Sequence, residues 1–403
     1  MRIALVRRSY GPTISGGEDA STRLLAECLL QRGHEITVLT FDEEANREET
    51  IAGMKVVRHR RIDGLTATAQ LLTLLPQVAL AMRRWQDRVD LFHVYYPSAL
   101  PGAGIYKVLG GRRPVVATLN CYAAFCPIGT ALCPDDVCGF SQRVRCLTRR
   151  RKPALKPLSV PYAAACPALF ALARRADRYI ALSQVVKELY VAHGYPADRM
   201  DVIPNCVENQ PASFTKGAAH DSATVNILYV GALFAVKGVD VLIRAFSRLT
   251  EHDTPVRLTI VGDGPEAEPL KELVLQLGVG ERVSFIGWVP HEMVGQYYAS
   301  ADIFVHPGIW AEPFGRTILE AMQSRLPVVV SNVGAPPEVA GDAGLVFERG
   351  NVDDLAQKLE MVCRDKELRQ RLSSNCPEVL EAYEQDKVLG RIVELYHRVV
   401  SEQ

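Results

Sequence analysis

The feature that most constrains the fold is an alternation of short apolar runs with amphipathic helical stretches, repeated in both halves of the 403 residues. The first series contains "RIALVR", "EITVLT", "DLFHVYY", "PVVATL" and "RYIALS", and the second contains "VNILYVG", "VRLTIVGDG", "RVSFIGWV", "ADIFVHPG" and "LPVVVSNVG". Such alternation predicts parallel sheets covered by helices. Between the two series, Asp201 to Asn226 is polar and contains Pro and Gly, which indicates a linker.

The predicted fold class is therefore α/β, with two doubly wound Rossmann-like domains. The first is expected at 1–205, with a Cys-rich basic insertion at about 120–166, and the second at 206–385. The segment 386–403 is expected to form a helix that returns to the first domain. Two such domains facing each other would place the carboxyl ends of both sheets around a central cleft, where ligands of open α/β sheets bind.

Composition narrows the classes of function. Apolar residues make up 48% of the chain, and Lys plus Arg equals Asp plus Glu at 46 each, so net charge indicates neither nucleic acid nor a membrane as partner. The longest apolar run, Leu71 to Met82, is shorter than the roughly 20 residues of a membrane helix. The amino terminus is typical of a first strand rather than a signal peptide. We therefore expect a cytoplasmic protein with no nucleic-acid partner.

One segment of the first domain concentrates cysteine and basic residues. From Arg143 to Lys156 there are seven basic residues and no acidic one, so this stretch is a solvated surface loop or a docking site for the anionic inner face of a membrane. The ten cysteines of the chain favour a reducing compartment, and the spacing of those near this stretch departs from the C-x2-C pairs usual for zinc. A structural zinc ion is one alternative, and free thiols or a disulfide are the others. The cysteines concerned are Cys121, Cys126, Cys133, Cys138 and Cys146.

Three loops after predicted strands carry possible ligand-binding residues. Gly16 and Gly17 precede a helix, so backbone there could approach a ligand, with a plain tight turn as the alternative. Lys237 precedes another helix and could neutralise phosphate charge. The G-x-G-x-x-A pattern at Gly262 and Gly264 is interpreted as a structural turn, because the acidic residues beside it would repel a pyrophosphate.

The stretch "HPGIWAEPFGRTILEAM" contains two glutamates eight positions apart. A helix is predicted to begin near Gly315, which leaves Glu312 in a loop and Glu320 in the helix, four residues after Arg316. The free amides of the first helical turn form an anion site. This arrangement suits a nucleotide sugar, with the diphosphate at the helix and one carboxylate on each side for neutral hydroxyls. The alternative for Glu320 is an exposed residue paired with Arg316.

Glu312 and Glu320 match the E-x7-E motif. With "GDGP", "VSFIGWV", "KGVDVLIRAF", "LPVVVSNVGAPPEV" and the early "GG…RGHEITVLT", they make the chain resemble the retaining glycosyltransferases of family 4, which have the GT-B fold. By that resemblance, Glu320 would bind the ribose hydroxyls of the donor, Glu312 the 3- or 4-hydroxyl of the transferred sugar, and Lys237 the diphosphate. Gly17 would approach the phosphates from the first domain.

The resemblance implies a full set of site residues. The implied catalytic residues are Lys237, Glu312 and Asn120. The implied donor-binding residues are Gly16, Gly17, Lys237, Gly287, Trp288, Glu312, Phe314, Gly315, Arg316, Ile318 and Glu320, with the nucleobase near Gly287 and Trp288. No cofactor and no catalytic metal are expected. The implied reaction moves a sugar from a nucleotide-diphosphate donor to a hydroxyl of a sugar, lipid-linked or small-molecule acceptor in glycan, glycolipid or glycoconjugate biosynthesis.

Two positions depart from the family pattern. Asn120 and Cys121 stand where many relatives have His-Asp, and Ala232 stands where relatives often have Arg. Lys237, together with Arg316, would then carry more of the phosphate charge. These departures keep open a non-catalytic sugar-binding protein on a degenerate scaffold, and a nucleotide-sugar epimerase shares the same architecture.

Overall fold

The computed structural model describes residues 1–11, 17–44, 46–60, 67–131, 138–150, 153–208, 224–251 and 255–402. The chain divides into two compact units. Unit 1 comprises Met1–Pro204 and Val388–Gln403, and unit 2 comprises Asn205–Lys387. The domain boundaries expected from the sequence fall after residues 205 and 385. The first lies one residue and the second two residues from the boundaries of these units.

Unit 1 is built on an eight-stranded sheet with the order β3-β4-β2-β1-β5-β6-β7-β8. Its strands are β1 (Arg2–Arg7), β2 (Glu35–Glu43), β3 (Arg47–Ile51), β4 (Met54–Arg60), β5 (Leu91–Val94), β6 (Val115–Leu119), β7 (Arg178–Ala181) and β8 (Met200–Val202). Neighbouring strands pair in parallel, except that β3 runs antiparallel to β4. Since β1 lies between β2 and β5, the strand order reverses at β1, and this is the switch point of the sheet.

The helices of unit 1 include the last helix of the chain. They are α1 (Gly17–Gln31), α2 (Ala67–Trp85), α3 (Leu100–Val108), α4 (Phe140–Arg150), α5 (Ser159–Ala173) and α6 (Gln184–Ala192), with α14 (Gln385–Ser401) at the carboxyl end. The ring of His93 on β5 lies 2.6 Å from the Tyr396 hydroxyl of α14 and 2.7 Å from the Thr118 hydroxyl of β6. Burial lowers the pKa of His93 to about 3, so the imidazole is neutral and these buried polar groups satisfy one another. The last helix thus packs on the first unit, as predicted.

Unit 2 contains a six-stranded, fully parallel sheet with the order β11-β10-β9-β12-β13-β14. Its strands are β9 (Val225–Val230), β10 (Val256–Val261), β11 (Val283–Gly287), β12 (Ile303–His306), β13 (Val328–Ser331) and β14 (Gly344–Phe347). Its helices are α7 (Val239–Glu251), α8 (Ala267–Gln276), α9 (His291–Ala299), α10 (Arg316–Gln323), α11 (Pro336–Ala340), α12 (Val352–Arg364) and α13 (Lys366–Leu380). All residues of the central strands β12 and β13 are buried, as expected where helices cover both faces. Here the strand order reverses at β9.

These two sheets confirm the predicted α/β class with two parallel-sheet, Rossmann-like units. The sequence pattern does not predict the antiparallel edge strand β3. Its sequence "REETI" is mostly charged, and charge on an edge strand discourages pairing with other chains. The register of β3 against β4 runs from Arg47 opposite Arg58 to Ile51 opposite Met54.

The interpretation of Arg143 to Lys156 as a surface loop is wrong for most of its length. Residues Phe140–Arg150 form α4, and a short 3-10 segment at Pro153–Leu158 leads directly into α5. The sequence of α4 has no Pro or Gly, and its Leu147 is only 4% exposed, so one apolar side chain anchors an otherwise basic helix. Within the described residues, no helix combines the length and the apolar character needed to cross a membrane.

Candidate functional site

The candidate site lies at the switch point of unit 2, where two loops follow the carboxyl ends of β9 and β12. The two loops contact each other directly, because the Ile309 amide donates to the Val236 carbonyl at 3.0 Å. Gly238 has a φ of +66°, and a Cβ at this position would collide with the carbonyl of Pro307. Glycine is therefore required for the close approach of the loops.

Lys237 and Glu312 meet across these loops as an ion pair. Nζ of Lys237 lies 2.5 Å from Oε2 of Glu312, and the side chains are 23% and 15% exposed. The indole Nε1 of Trp310 donates to the same oxygen at 2.8 Å, and Nε2 of His306 lies 3.9 Å from it. Among the described residues, every such contact of the carboxylate is with Oε2. The other oxygen, Oε1, is thus the one available to a ligand.

The charges of this group follow from burial and pairing. Burial alone would raise the pKa of Glu312, but the cationic Lys237, with His306 and the indole of Trp310, more than offsets it, so the pKa lies below its usual value. Burial lowers the pKa of His306 to about 4. At neutral pH the site therefore contains an ionised carboxylate, the lysine cation and a neutral imidazole.

The backbone of Glu312 is fixed on both sides. Its amide donates to the Trp310 carbonyl at 2.8 Å, and its carbonyl accepts from the Ala335 amide at 2.9 Å. Gly334, which pairs with Glu312 in an isolated parallel bridge, has a φ of +77°, and a Cβ there would collide with the Glu312 backbone. The loop therefore holds this carboxylate in one place.

The amino terminus of α10 lies immediately after this loop. Gly315 precedes the helix with a φ of +96°, and a Cβ on it would lie 2.8 Å from Cδ1 of Ile318. The Ile318 amide donates to the Gly315 carbonyl at 2.9 Å, while no side chain among the described residues caps the helix. The buried side chains of Phe314 and Ile318, 3% and 0% exposed, anchor the turn in the core. The geometry suits an anion at the first amides of α10.

Glu320 lies inside α10 and is not the exposed residue of the alternative interpretation. Its side chain is 14% exposed, and Oε2 accepts from the Tyr298 hydroxyl at 2.9 Å. Nε of Arg316 is 4.0 Å from Oε1, whereas Nη2 of Arg316 donates to Glu208 at 2.8 Å. Arg316 therefore lies closer to Glu208 than to Glu320.

Glu208 joins Arg316 to the start of α9. Nε2 of His291 lies 3.5 Å from the Glu208 carboxylate. The hydrogen bond with His291, partly opposed by burial and assisted by Arg316, lowers the pKa of Glu208. The same hydrogen bond raises the pKa of His291, while burial opposes the rise. These three residues form a charge network beside Glu320.

The residues predicted near the nucleobase lie at the end of β11. Gly287 has a φ of +82°, and its carbonyl accepts from the Gly262 amide at 2.8 Å. The side chain of Trp288 is 65% exposed, which leaves the aromatic ring available for stacking. A Cβ on Gly262 or Gly264 would collide with the backbone near Gly231 and Leu233, so contacts within unit 2 account for these glycines.

The remaining predicted residues belong to unit 1. Gly17 is the first residue of α1, and Gly16 lies outside the described residues. Nδ2 of Asn120 donates to the Tyr95 carbonyl at 3.1 Å, and its buried Oδ1 has no hydrogen-bond partner among the described residues.

In the cysteine segment, burial raises the pKa of Cys121 to about 12, so its side chain is a thiol rather than a thiolate. Cys121, Cys126 and Cys146 form no disulfide bond with the described residues, and Cys133 lies outside them. Within the part of the chain that the structure describes, no three His, Cys, Asp or Glu side chains are grouped as metal ligands. A structural zinc ion in this segment stays one of the alternatives, with free thiols or a disulfide as the others, and metal analysis of anaerobically purified protein distinguishes them.

Sequence reasoning missed several residues of the site. Trp310 and His306 flank the loop of Glu312, and their nearness along the chain was a usable signal. No nearness along the chain indicates the other three residues, because only folding brings them to α10. They are Tyr298, His291 and Glu208.

Known proteins match both units. The model of Glycosyltransferase Family 4 matches residues 15–210, and that of Glycosyl transferases group 1 matches residues 214–379. An uncharacterized glycosyltransferase, MJ1607 of Methanocaldococcus jannaschii, is 28% identical over 98% of each chain. The phosphatidylinositol N-acetylglucosaminyltransferase GPI3 subunit of Saccharomyces cerevisiae is 31% identical over 56% of this chain, and the match spans about half of that subunit, 51%. The crystal structure of Anabaena Alr3699/HepE in complex with UDP superposes with a TM-score of 0.70 at 21% identity, covering 99% of this chain and 100% of that one.

The parallel α/β units and these matches define the class of protein, an enzyme of the glycosyltransferase class with the GT-B fold. Within that class, this chain is a family 4-like glycosyltransferase.

Proposed function

We propose that the protein transfers a sugar, with retention of anomeric configuration, from a nucleoside-diphosphate sugar to a hydroxyl acceptor in glycan or glycolipid biosynthesis. The observation that supports this most is the Lys237–Glu312 pair beside the uncapped amino terminus of α10. A cation and a helix terminus suit a diphosphate, and a fixed carboxylate suits neutral hydroxyls. HepE, which has the same fold, binds UDP.

Lys237 and Glu312 have complementary roles in this proposal. A lysine ammonium has three N–H donors, so Lys237 can keep its hydrogen bond to Glu312 and still donate to the diphosphate. Oε1 of Glu312, which accepts from none of the described residues, then accepts from the 3- or 4-hydroxyl of the transferred sugar.

The nucleotide extends from the diphosphate along α10. The backbone amides of Phe314 and Gly315 would hold the diphosphate, whereas the Ile318 amide already donates to the Gly315 carbonyl. Glu320 would accept from the ribose hydroxyls. A carboxylate has room for these bonds beside that from Tyr298. The exposed ring of Trp288 beside Gly287 would stack on the nucleobase.

The chemical step breaks the bond between C1 of the sugar and the leaving diphosphate oxygen, and forms a bond from C1 to the acceptor oxygen. The acceptor proton passes to the departing diphosphate, so no covalent enzyme intermediate is required. Lys237 and the first amides of α10 would stabilise the charge that develops on the diphosphate. Asn120 would accept from a hydroxyl of a ligand bound to unit 1 through its unpaired Oδ1.

A membrane-bound or lipid-linked acceptor is supported by the surface of α4. Arg145 and Arg149, one helical turn apart, are exposed, and Phe140 at the start of the helix is 49% exposed. Basic residues beside an exposed aromatic ring suit an anionic membrane. Flotation with phosphatidylglycerol vesicles should recover the protein, and the double variant R145E/R149E should remain in the soluble fraction.

Binding and product analysis test the proposed reaction. Thermal shifts and calorimetric titrations with UDP, GDP, ADP and their glucose or mannose esters identify the donor, since a ligand of the folded state raises its melting temperature. Glu320→Ala should weaken binding of the nucleoside diphosphate about tenfold, because it removes a charged acceptor. NMR of the product should show the anomeric configuration of the donor. Inverted product, or an unchanged affinity in Glu320→Ala, would contradict the proposal.

A further inference from the structure

Trp310 contacts both members of the ion pair. Its indole Nε1 donates to Oε2 of Glu312 at 2.8 Å, and Nζ of Lys237 lies 5.1 Å from the centre of its ring. The first contact is a hydrogen bond to an ionised group, and the second lies within the range of cation–π attraction. One side chain thus touches the carboxylate and the ammonium together.

These contacts determine how the carboxylate is oriented. A lysine has a long, flexible stem, so Lys237 alone would leave the Glu312 carboxylate free to rotate. The indole has only two side-chain torsions and directs its N–H along one line. Because the backbone of Glu312 also donates to the Trp310 carbonyl at 2.8 Å, the two residues form a closed local unit. With Oε2 held by the indole, Oε1 is the oxygen of Glu312 that has no hydrogen-bond partner among the described residues.

We propose that Trp310 is a positioning residue for the donor sugar: it holds Oε2 of Glu312 so that Oε1 faces the sugar hydroxyl, and it covers one side of the Lys237 ammonium. This inference rests on the proposed role of Glu312. It adds a residue outside the E-x7-E motif and assigns to it the orientation of the motif's first carboxylate.

Loss of the indole N–H of Trp310 should change the pH dependence of transfer as well as its rate. The titratable groups that face Glu312 are Lys237 from the loop after β9, His306 from the end of β12, and Tyr229 from β9. Burial raises the pKa of Glu312, and Trp310 is one of the groups that lower it. Removing the indole N–H should therefore raise this pKa, and the acidic limb of kcat/KM should move to higher pH.

Trp310→Phe is the test, because phenylalanine keeps an aromatic face for Lys237 and lacks the N–H. With whichever of UDP, GDP or ADP binds the wild-type protein, we expect its affinity to change by less than about twofold. We expect kcat/KM for the matching nucleotide sugar to fall about tenfold to hundredfold, the worth of a hydrogen bond to a charged group. Trp85→Phe in unit 1 is the matched control, and it should leave the acidic limb in place.

A double-mutant cycle separates this inference from the proposed function. If Trp310 acts through Glu312, adding Trp310→Phe to Glu312→Ala should not lower the affinity for the nucleotide sugar further. Two results for Trp310→Phe would overturn the positioning role while Glu312→Ala remains defective. One is that affinity for the diphosphate falls as much as kcat/KM for the nucleotide sugar. The other is wild-type kinetics with the acidic limb at its wild-type pH. Wild-type transfer by Glu312→Ala would instead refute the proposed role of Glu312 itself.

Discussion

Replacing Lys237 with Met tests the electrostatics of the site without any ligand. The variant keeps the length of the side chain and removes the cation 2.5 Å from a carboxylate that is 15% exposed. Breaking a fully buried pair costs about 3–5 kcal/mol, and the partial exposure of Lys237, 23%, reduces the expected cost to about 2–3 kcal/mol. For a unit of this size, that corresponds to a melting temperature lower by about 5–10 °C.

The cost of Lys237→Met should depend on pH in a defined direction. The pKa of Glu312 is lowered in the folded protein, so the ion pair adds stability above the unfolded pKa, and this contribution is lost as the pH falls through the folded value. Without Lys237, the burial of Glu312 would raise its pKa, and the carboxyl would take up a proton more readily. The difference in stability between wild type and variant should therefore shrink as the pH is lowered from 8 toward 5.

Differential scanning calorimetry over this pH range measures the effect, with Lys237→Met/Glu312→Gln as the comparison. The double variant carries no charge at either position, and the amide oxygen of the glutamine can still accept from Trp310. Its melting temperature should therefore lie above that of Lys237→Met at pH 8. Equal melting temperatures for the two variants, or a deficit of Lys237→Met that does not vary with pH, would refute the reasoning.

Two substitutions test the packing that supports the site and the fold. Gly238→Ala should lower the free energy of unfolding by about 2 kcal/mol or more and reduce transfer, because its Cβ would meet the Pro307 carbonyl at a positive φ. Gly33→Ala is the control, since Gly33 has a φ of +79° with open space around it. It should lower the free energy of unfolding by about 1 kcal/mol and leave transfer intact. Tyr396→Phe should destabilise unit 1 by about 1–3 kcal/mol in urea unfolding, since it leaves a ring nitrogen of buried His93 without a partner.

The fold could be predicted from the sequence because the patterns that indicate strands and helix starts lie within short stretches of the chain. A run such as "VVVS" predicts a strand buried on both faces, and Pro313 with Gly315 predicts the start of α10 one residue before the observed Arg316. The sequence of α4 does not predict a helix packed on the unit, because basic residues dominate its composition. Its single buried anchor, Leu147, is visible only once the neighbouring helix is in place.

The partners of the site residues depend on contacts that no local pattern contains. Glu208 lies 108 positions before Arg316, and Lys237 lies 75 before Glu312, so each pairing is set by the order of strands in the sheet. Trp310 is the exception, only two residues from Glu312. Its role was missed because an aromatic residue in a loop is compatible with many environments.

The contacts of Arg316 change which residues are expected to supply positive charge to the proposed diphosphate site. Sequence reasoning assigned it to Lys237 and Arg316, because Ala232 stands where relatives often have Arg. In the folded chain, Arg316 donates to Glu208 at 2.8 Å, and the carbonyl of Ala232 accepts from the Tyr229 hydroxyl at 3.1 Å. Since Arg316 is already paired with a carboxylate, releasing it for a phosphate would leave Glu208 facing His291 alone. The proposed diphosphate site therefore depends on Lys237 and the first amides of α10.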